Sequence, residues 1–197
     1  MKIRSTALSA AFALAALLGT AAIPAFAAKY ETIDATAGGT STQLGRMGTI
    51  RLIIYEYSQA DDRQILVEAF QHGQNDGLAN ALEKMKAVGR ITIPGTLGFD
   101  VSYIRVVKTP TGRSIRFITN RKIAFGEHYW DSQSKSFNLT AGEINIDDQD
   151  KKKSGGVLFP ATQLNVNKDG ELQWDLRQNK WTLSNVIVWP GDSTKEK

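Results

Sequence analysis

The chain has 197 residues, no cysteine and a formal net charge of +4. Without cysteine it has no disulfide framework, no thiol nucleophile and no zinc-thiolate site. A hydrophobic share of 42% with only 5 prolines is typical of a globular protein, which excludes collagen and gross disorder.

The first 27 residues have the three parts of a secretory signal peptide. Lys2 and Arg4 supply the positive start, an apolar run follows at 10–18, and Ala-Phe-Ala at 25–27 supplies the small residues that signal peptidase requires. The alternative is a membrane anchor, but the run is short for a span, and no later stretch reaches about 18 apolar residues. We therefore expect an exported protein, periplasmic or extracellular, with no transmembrane segment after cleavage.

Cleavage after Ala27 would leave 22 basic and 20 acidic side chains, a net charge of +2. This balance argues against nucleic-acid binding, which needs a stripe of basic residues. The polar, glycine-containing composition of 28–45 predicts a flexible segment, and that of 191–197 predicts a flexible tail. Between them we expect a single α+β domain at 46–190.

The first predicted strand covers 48–57, which is rich in β-branched and aromatic residues. Ser58 then has the position of a helix N-cap, with Asp61 three residues later as the second member of a capping box. We expect a helix over 60–72 with one apolar face.

Gly73 predicts the end of this helix, and Asn75 or Asp76 predicts the cap of a second one reaching Val88. Gly89 has the position of a left-handed residue that ends a helix. Because the connection is short, the sequence predicts an antiparallel helical hairpin that packs on a sheet.

After residue 89 the hydrophobic period changes to two, which is typical of strands. The segment 167–170 is a hairpin-turn signal, and Trp181, Leu183, Ile187 and Trp189 are predicted to share one face of the last strand. We expect an α+β fold with an antiparallel sheet of 6–8 strands, curled or barrel-like because closure hides strand edges.

The evidence for catalysis is weak. The chain has two histidines, His72 and His128, and no G-x-S-x-G nucleophile motif. Glu127 and His128 could form an acid–base pair, but neighbouring residues of a strand point to opposite faces. A short S-x-x-K match at 132–135 falls in a predicted loop, so it does not favour a serine–lysine enzyme.

Two segments resemble cation sites only in part. Residues 165–170 imitate the start of a calcium loop, but Leu176 occupies the position that needs a glutamate, so a hairpin turn is favoured. Asp147, Asp148 and Asp150 could hold a weak cation, or form an acidic loop. We predict no metal and no cofactor.

Binding of an apolar ligand remains, because the β region is rich in aromatic residues such as Phe117 and Phe159. A curled sheet closed by a helical hairpin can leave a cavity, or the same aromatic residues can fill it. Arg116, Arg121 and Lys122 lie near these aromatics, where they would either meet an anionic head group or face solvent.

Short sequence segments at 87–91, 112–116, 119–125 and 183–186 resemble segments of uncharacterised exported bacterial proteins with the same expected architecture. In the third segment, this sequence differs from those proteins at Asn120 and Lys122. The resemblance covers about residues 61–188 and implies export and a β-rich fold, but it implies no activity and no catalytic residue.

We therefore expect an exported, non-enzymatic binding or envelope-accessory protein whose partner is a small molecule or an envelope protein. The alternatives are a carrier of a small apolar or anionic amphiphile in a cavity under the helical hairpin, and a hydrolase that uses His128. An arginine forms paired hydrogen bonds with anionic or planar groups, so Arg121 is central to the predicted ligand site. That site consists of Thr119, Asn120, Arg121, Glu127 and His128.

Overall fold

The computed structural model describes residues 30–39, 48–93, 97–120, 137–166, 172–176 and 180–191. In this part of the chain one α-helix and one short 3₁₀ turn accompany ten strand segments. The elements in chain order are β1 (Glu31–Gly38), β2 (Gly48–Ile54), α1 (Ala60–Lys84), β3 (Gly89–Thr92), β4 (Phe99–Val101), β5 (Tyr103–Thr109), β6 (Gly112–Asn120), β7 (Leu139–Asp147), the 3₁₀ turn (Lys151–Lys153), β8 (Gly155–Val166), β9 (Leu172–Leu176) and β10 (Trp181–Trp189).

All strand pairs are antiparallel, and the sheet runs in the order β4-β3-β2-β1-β10-β8-β7-β6-β5, with β9 added to β8. Only Ser102 separates β4 from β5, although these two segments lie at opposite ends of that order. β4 and β5 therefore form one bent strand that joins the two ends of the sheet. With these two segments counted as one, nine strands form a nearly closed, barrel-like sheet. The predicted antiparallel, barrel-like sheet is confirmed, but the number of strands exceeds the expected 6–8.

Aliphatic side chains that alternate along the strands fill the inside of this curved sheet. Ile33, Leu52, Ile115 and Ile144 are almost fully buried and come from four different strands. The β-branched and leucine side chains that predicted these strands thus form one common core.

The expected helical hairpin is wrong, because the chain forms one helix rather than two helices joined by a loop. α1 is kinked at Gln74, whose φ of 49° and ψ of −141° are not helical. The kink is sharp, since a Cβ on Gly77 would lie 2.3 Å from the carbonyl oxygen of Ala69. The sequence therefore indicated an interruption of the helix near Gly73, but it did not show that this interruption is a kink rather than a loop.

Both ends of α1 differ from the prediction. The backbone N–H of Gln59 donates to Asp62 Oδ2 at 2.7 Å, so Gln59 rather than Ser58 is the N-cap. The Ser58 hydroxyl instead accepts from the backbone N–H of Ile104 at 3.1 Å and ties β5 to the start of the helix. The helix ends at Lys84, and Val88 already leads into β3.

Residues Glu31–Gly38 form β1, although we expected the segment 28–45 to be flexible, and for these eight residues that expectation is wrong. β1 pairs with β2 on one side and with β10 on the other. Ile33, Ala35 and Ala37 alternate into the core. Alanine, glycine and the acidic residues Glu31 and Asp34 gave this strand a weak signal, because these residue types are depleted in strands.

The predicted common face of β10 is also wrong. Asn185 has a φ of 49°, and the register between β1 and β10 shifts beside it. Such a bulge inverts the alternation of side chains beyond it. Trp181 and Leu183 are therefore buried, whereas Ile187 and Trp189 are 50% and 53% exposed.

α1 packs on the outer face of the sheet. Leu66, Phe70, Leu78 and Leu82 form a second apolar cluster with Leu139 of β7. Within the ranges that the structure describes, no helix is long and apolar enough to cross a bilayer. The predicted signal peptide, the turn at 167–170 and the tail beyond Gly191 lie outside those ranges.

Candidate functional site

A pocket of about 320 Å³ lies where the end of α1 meets the hairpin of β3 and β4 and the last residue of β6. We call it the polar pocket. Its apolar wall includes Leu82, Met85 and Phe99. Its polar side chains belong to Glu83, Arg90, Asp100, Ser102 and Asn120.

The β3–β4 hairpin positions the charged side chains of this pocket. Arg90 and Asp100 are direct cross-strand partners, so their side chains leave the same face of the sheet. Gly98 precedes β4 with a φ of 71°, and a Cβ there would lie 2.3 Å from Thr92 Cγ2. A glycine is therefore required for the backbone to approach β3 so closely.

The ion pair between these two residues is loose. Arg90 Nε lies 3.5 Å from Asp100 Oδ1, and both side chains keep contact with solvent. The Nε atom itself is buried and has no hydrogen-bond partner among the described residues. A buried guanidinium N–H without an acceptor is costly. Because the Nε atom is itself buried, a ligand would meet the exposed part of the Arg90 side chain, which can pair with an anionic group.

Two of the five predicted site residues lie in the described part of the chain, and they have different positions. Thr119 is buried, and its hydroxyl donates to the backbone carbonyl of Asp100 at 3.0 Å. It therefore positions β4 from inside the sheet rather than lining the pocket. Asn120 lines the polar pocket.

Arg121, Glu127 and His128 lie outside the described residues, so their place in the site stays a prediction. The second histidine, His72, is on α1, where its Nδ1 lies 2.7 Å from the carbonyl oxygen of Glu68. It lines a different groove, on the surface of the kinked helix.

The acidic segment after β7 organises its own loop. Asp147 Oδ1 accepts from the backbone N–H groups of Gln149 and Asp150, at 2.9 and 2.8 Å. These bonds, above all that from Asp150, hold the pKa of Asp147 below its usual value. Among the described residues no group of three or more histidine, aspartate or glutamate side chains could hold a metal ion.

Sequence reasoning did not place Arg90 and Asp100 in the site. They are ten residues apart and are brought together by the register of two short strands. The available signal was a pair of opposite charges on either side of a segment with proline and glycine, which is typical of a hairpin.

No family model matches this chain, and searches of curated proteins and of solved structures also give no match. The resemblance of its short segments to exported bacterial proteins therefore stays a prediction.

Proposed function

We propose that this chain is an exported, non-enzymatic binding protein that holds a small zwitterion, of the size of an amino acid, in the polar pocket. The observation that carries the proposal is the guanidinium of Arg90, which lines the pocket with a loose ion pair to Asp100 and a partly exposed side chain. It lies at a pocket of about 320 Å³, which is within the range of small-molecule sites.

The charges around the pocket favour a ligand that carries both signs. Arg90 can hold a carboxylate in a paired arrangement, and Asp100 and Glu83 supply negative charge for an ammonium group. Ser102 and Asn120 add a hydroxyl and an amide, which fix orientation. A dianion would bring its second charge close to these carboxylates, so the pocket is expected to reject it.

The experiment has two steps. Native mass spectrometry of protein purified from its own host tests for a bound small molecule. Isothermal titration calorimetry of the stripped protein then compares L-lysine and L-alanine with the dianion glutarate. We expect at least one of the amino acids to bind and glutarate to give no heat.

Two arginine variants locate the site. Arg90→Lys keeps the charge but removes the planar guanidinium that can form paired hydrogen bonds, so it is expected to weaken binding about tenfold. The matched control is Arg116→Lys, because Arg116 lies on β6 outside the polar pocket. Binding that neither variant changes, or that the control weakens as much, would contradict the proposal, as would the absence of binding by both amino acids and of any bound mass.

The structure bears differently on the two alternative functions, a hydrolase and an amphiphile carrier. A hydrolase that uses His128 stays a prediction, because that residue is outside the described ranges. An amphiphile carrier also stays a prediction, although the helical hairpin expected to cover its cavity is absent and Leu66, Phe70 and Leu139 pack between α1 and the sheet. A separate groove on the sheet surface favours an amphiphile in another place.

A further inference from the structure

A groove of about 440 Å³ lies on the outer face of β5, β6, β7 and β8, separate from the polar pocket. We call it the outer groove. Residues of two neighbouring cross-strand rows line it, and the register of the four strands defines these rows. The first row is Tyr103–Ile118–Ala141–Phe159, and the second is Arg105–Arg116–Glu143–Val157. Arg105 and Ala141 complete the rows beside the lining residues.

The first row is apolar and aromatic. Tyr103 and Ile118 pack against the apolar cluster under α1, so this end of the row continues below the helix. Phe159, at the other end, is only partly buried, and both ends line the groove. The row thus offers a continuous surface for a short hydrocarbon chain or a ring.

The second row is charged. Arg105 and Arg116 are direct cross-strand partners, and both are exposed. Like charges that face each other across a strand pair repel. Arg116 Nε lies 2.8 Å from Glu143 Oε2, and no described carboxylate forms an ion pair with Arg105. Glu143 therefore pairs with only one of the two guanidinium groups, which leaves Arg105 as a place for one further negative charge.

Tyr103 lines the groove at the end of the apolar row, two residues before Arg105 of the charged row on β5. Burial raises the pKa of Tyr103, with nearby Asp62 adding to the rise, whereas Arg105 and Arg63 act against it. The phenol stays protonated at neutral pH and can donate a hydrogen bond. Arg105 and Arg63 therefore lie within electrostatic range of this phenol, together with Asp62.

We infer that the outer groove binds a single-chain anionic amphiphile, such as a medium-length fatty carboxylate. The apolar row takes the hydrocarbon, and the anionic group lies between Arg105 and Arg116. This site is independent of the polar pocket, because Arg90 and Asn120 do not line it. The occupant is a free small molecule rather than a membrane, since the paired guanidinium groups match one anionic group.

The test measures binding of dodecanoate by isothermal titration calorimetry, below its micelle concentration, at low and at high salt. The neutral analogue dodecanol serves as the ligand control. We expect dodecanoate to bind about tenfold more tightly than dodecanol, and the difference to shrink at high salt because the charges are exposed.

Variants then locate the site. Arg105→Ser and Arg116→Ser are each expected to weaken dodecanoate binding about fivefold or more, and Val157→Asn to weaken both ligands. Lys108→Ser is the matched control. Lys108 is an exposed residue of β5 on the face opposite to Arg105, so this substitution removes the same charge away from the groove. Circular dichroism and thermal unfolding confirm that each variant is folded.

Three results would overturn the inference. They are equal affinity for dodecanoate and dodecanol, an effect of Lys108→Ser as large as that of Arg105→Ser, and binding to vesicles of anionic phospholipid without binding to free dodecanoate. Loss of amino-acid binding in Arg90→Lys does not bear on this site, so the two proposals fail separately.

Discussion

Asp34 makes the most complete set of side-chain bonds on the outer face of β1. Its two carboxylate oxygens accept from Arg51 Nε at 2.7 Å and Arg51 Nη2 at 2.9 Å, and Trp189 Nε1 donates to Oδ2 at 3.0 Å. The bond from Arg51 is the main cause that holds the pKa of Asp34 below its usual value. Because three strands contribute these residues, the carboxylate ties β2 and β10 to β1.

Asp34→Asn is therefore expected to lower the free energy of unfolding by about 1 kcal/mol at pH 7, a value reduced by the solvent exposure of Arg51. A carboxyl whose pKa falls on folding stabilises the protein above its unfolded pKa and loses this effect as the pH drops through its folded pKa. The difference between variant and wild type should thus begin to shrink near pH 4 and disappear only below the folded pKa of Asp34.

Urea unfolding between pH 7 and pH 3 measures this difference. Asp148→Asn is the control, because this exposed aspartate makes no side-chain hydrogen bond among the described contacts. A constant difference between wild type and Asp34→Asn over the whole range would show that the charge of Asp34 is not the cause.

Gly142 lies directly opposite Phe117 in the β6–β7 pair. A Cβ on Gly142 would come within 2.3 Å of Phe117 Cζ, and that ring is buried in the core. Gly142→Ala should therefore lower the free energy of unfolding by about 1–3 kcal/mol. Gly48→Ala is the control, since its Cβ would have no neighbour within 4 Å. Equal stability of the two variants in urea would contradict this packing.

At the scale of elements, one side chain attaches α1 to the sheet just beyond the kink. Asn75 Nδ2 donates to the carbonyl of Leu164 at 2.9 Å, and the N–H of Leu164 donates to Asn75 Oδ1 at 2.7 Å. The amide thus pairs with β8 as a neighbouring strand would, beyond the point where the β7 register ends at Leu139.

Asn75→Ala should lower the free energy of unfolding by about 2 kcal/mol, because both backbone groups of Leu164 would lose their partner. Asn80→Ala on the same helix is exposed and should have no cost, since alanine favours helix. Chemical denaturation gives both values, and hydrogen exchange should show faster exchange at Leu164 in Asn75→Ala alone. Unchanged exchange there would refute the attachment.

The elements differ in how far the sequence alone predicts them. The spacing of hydrophobic residues in the sequence locates α1 and most strands, because a helix or strand that buries one face needs apolar residues at its own repeat. It does not distinguish a kink at Gln74 from a loop, because both interrupt the helix at the same residues. It also misses the bulge at Asn185, where a single positive φ reverses the direction of Ile187 and Trp189.

At the scale of the whole molecule, strand order decides which residues meet, and periodicity contains no information on order. Thr119 and Asn120 are recognisable as neighbours on one strand, yet alternation places the first inside and the second at the polar pocket. Arg90 and Asp100 enter the site through the β3–β4 pair. The outer groove requires four strands in a particular order, so it is visible only in the folded chain.

A charged cluster connects two distant parts of the nearly closed sheet. Arg113 of β6 donates to both carboxylate oxygens of Glu31 in β1, and the Tyr57 hydroxyl donates to Glu31 Oε2 at 2.8 Å. These strands are not neighbours in the sheet. Burial raises the pKa of Tyr57, and the bond to Glu31 adds to the rise, so this phenol remains a donor.

A double-mutant cycle on Glu31 and Arg113 tests whether this cluster stabilises the closed sheet. Each single change to alanine should cost about 2 kcal/mol, because it leaves a partly buried charge without its partner. The double variant should cost at least about 1 kcal/mol less than the two single costs together. Glu56 and Lys86 form an exposed pair 2.7 Å apart, for which no measurable coupling is expected. Equal coupling in the two pairs would mean that the Glu31–Arg113 contact does not help to hold the strands together.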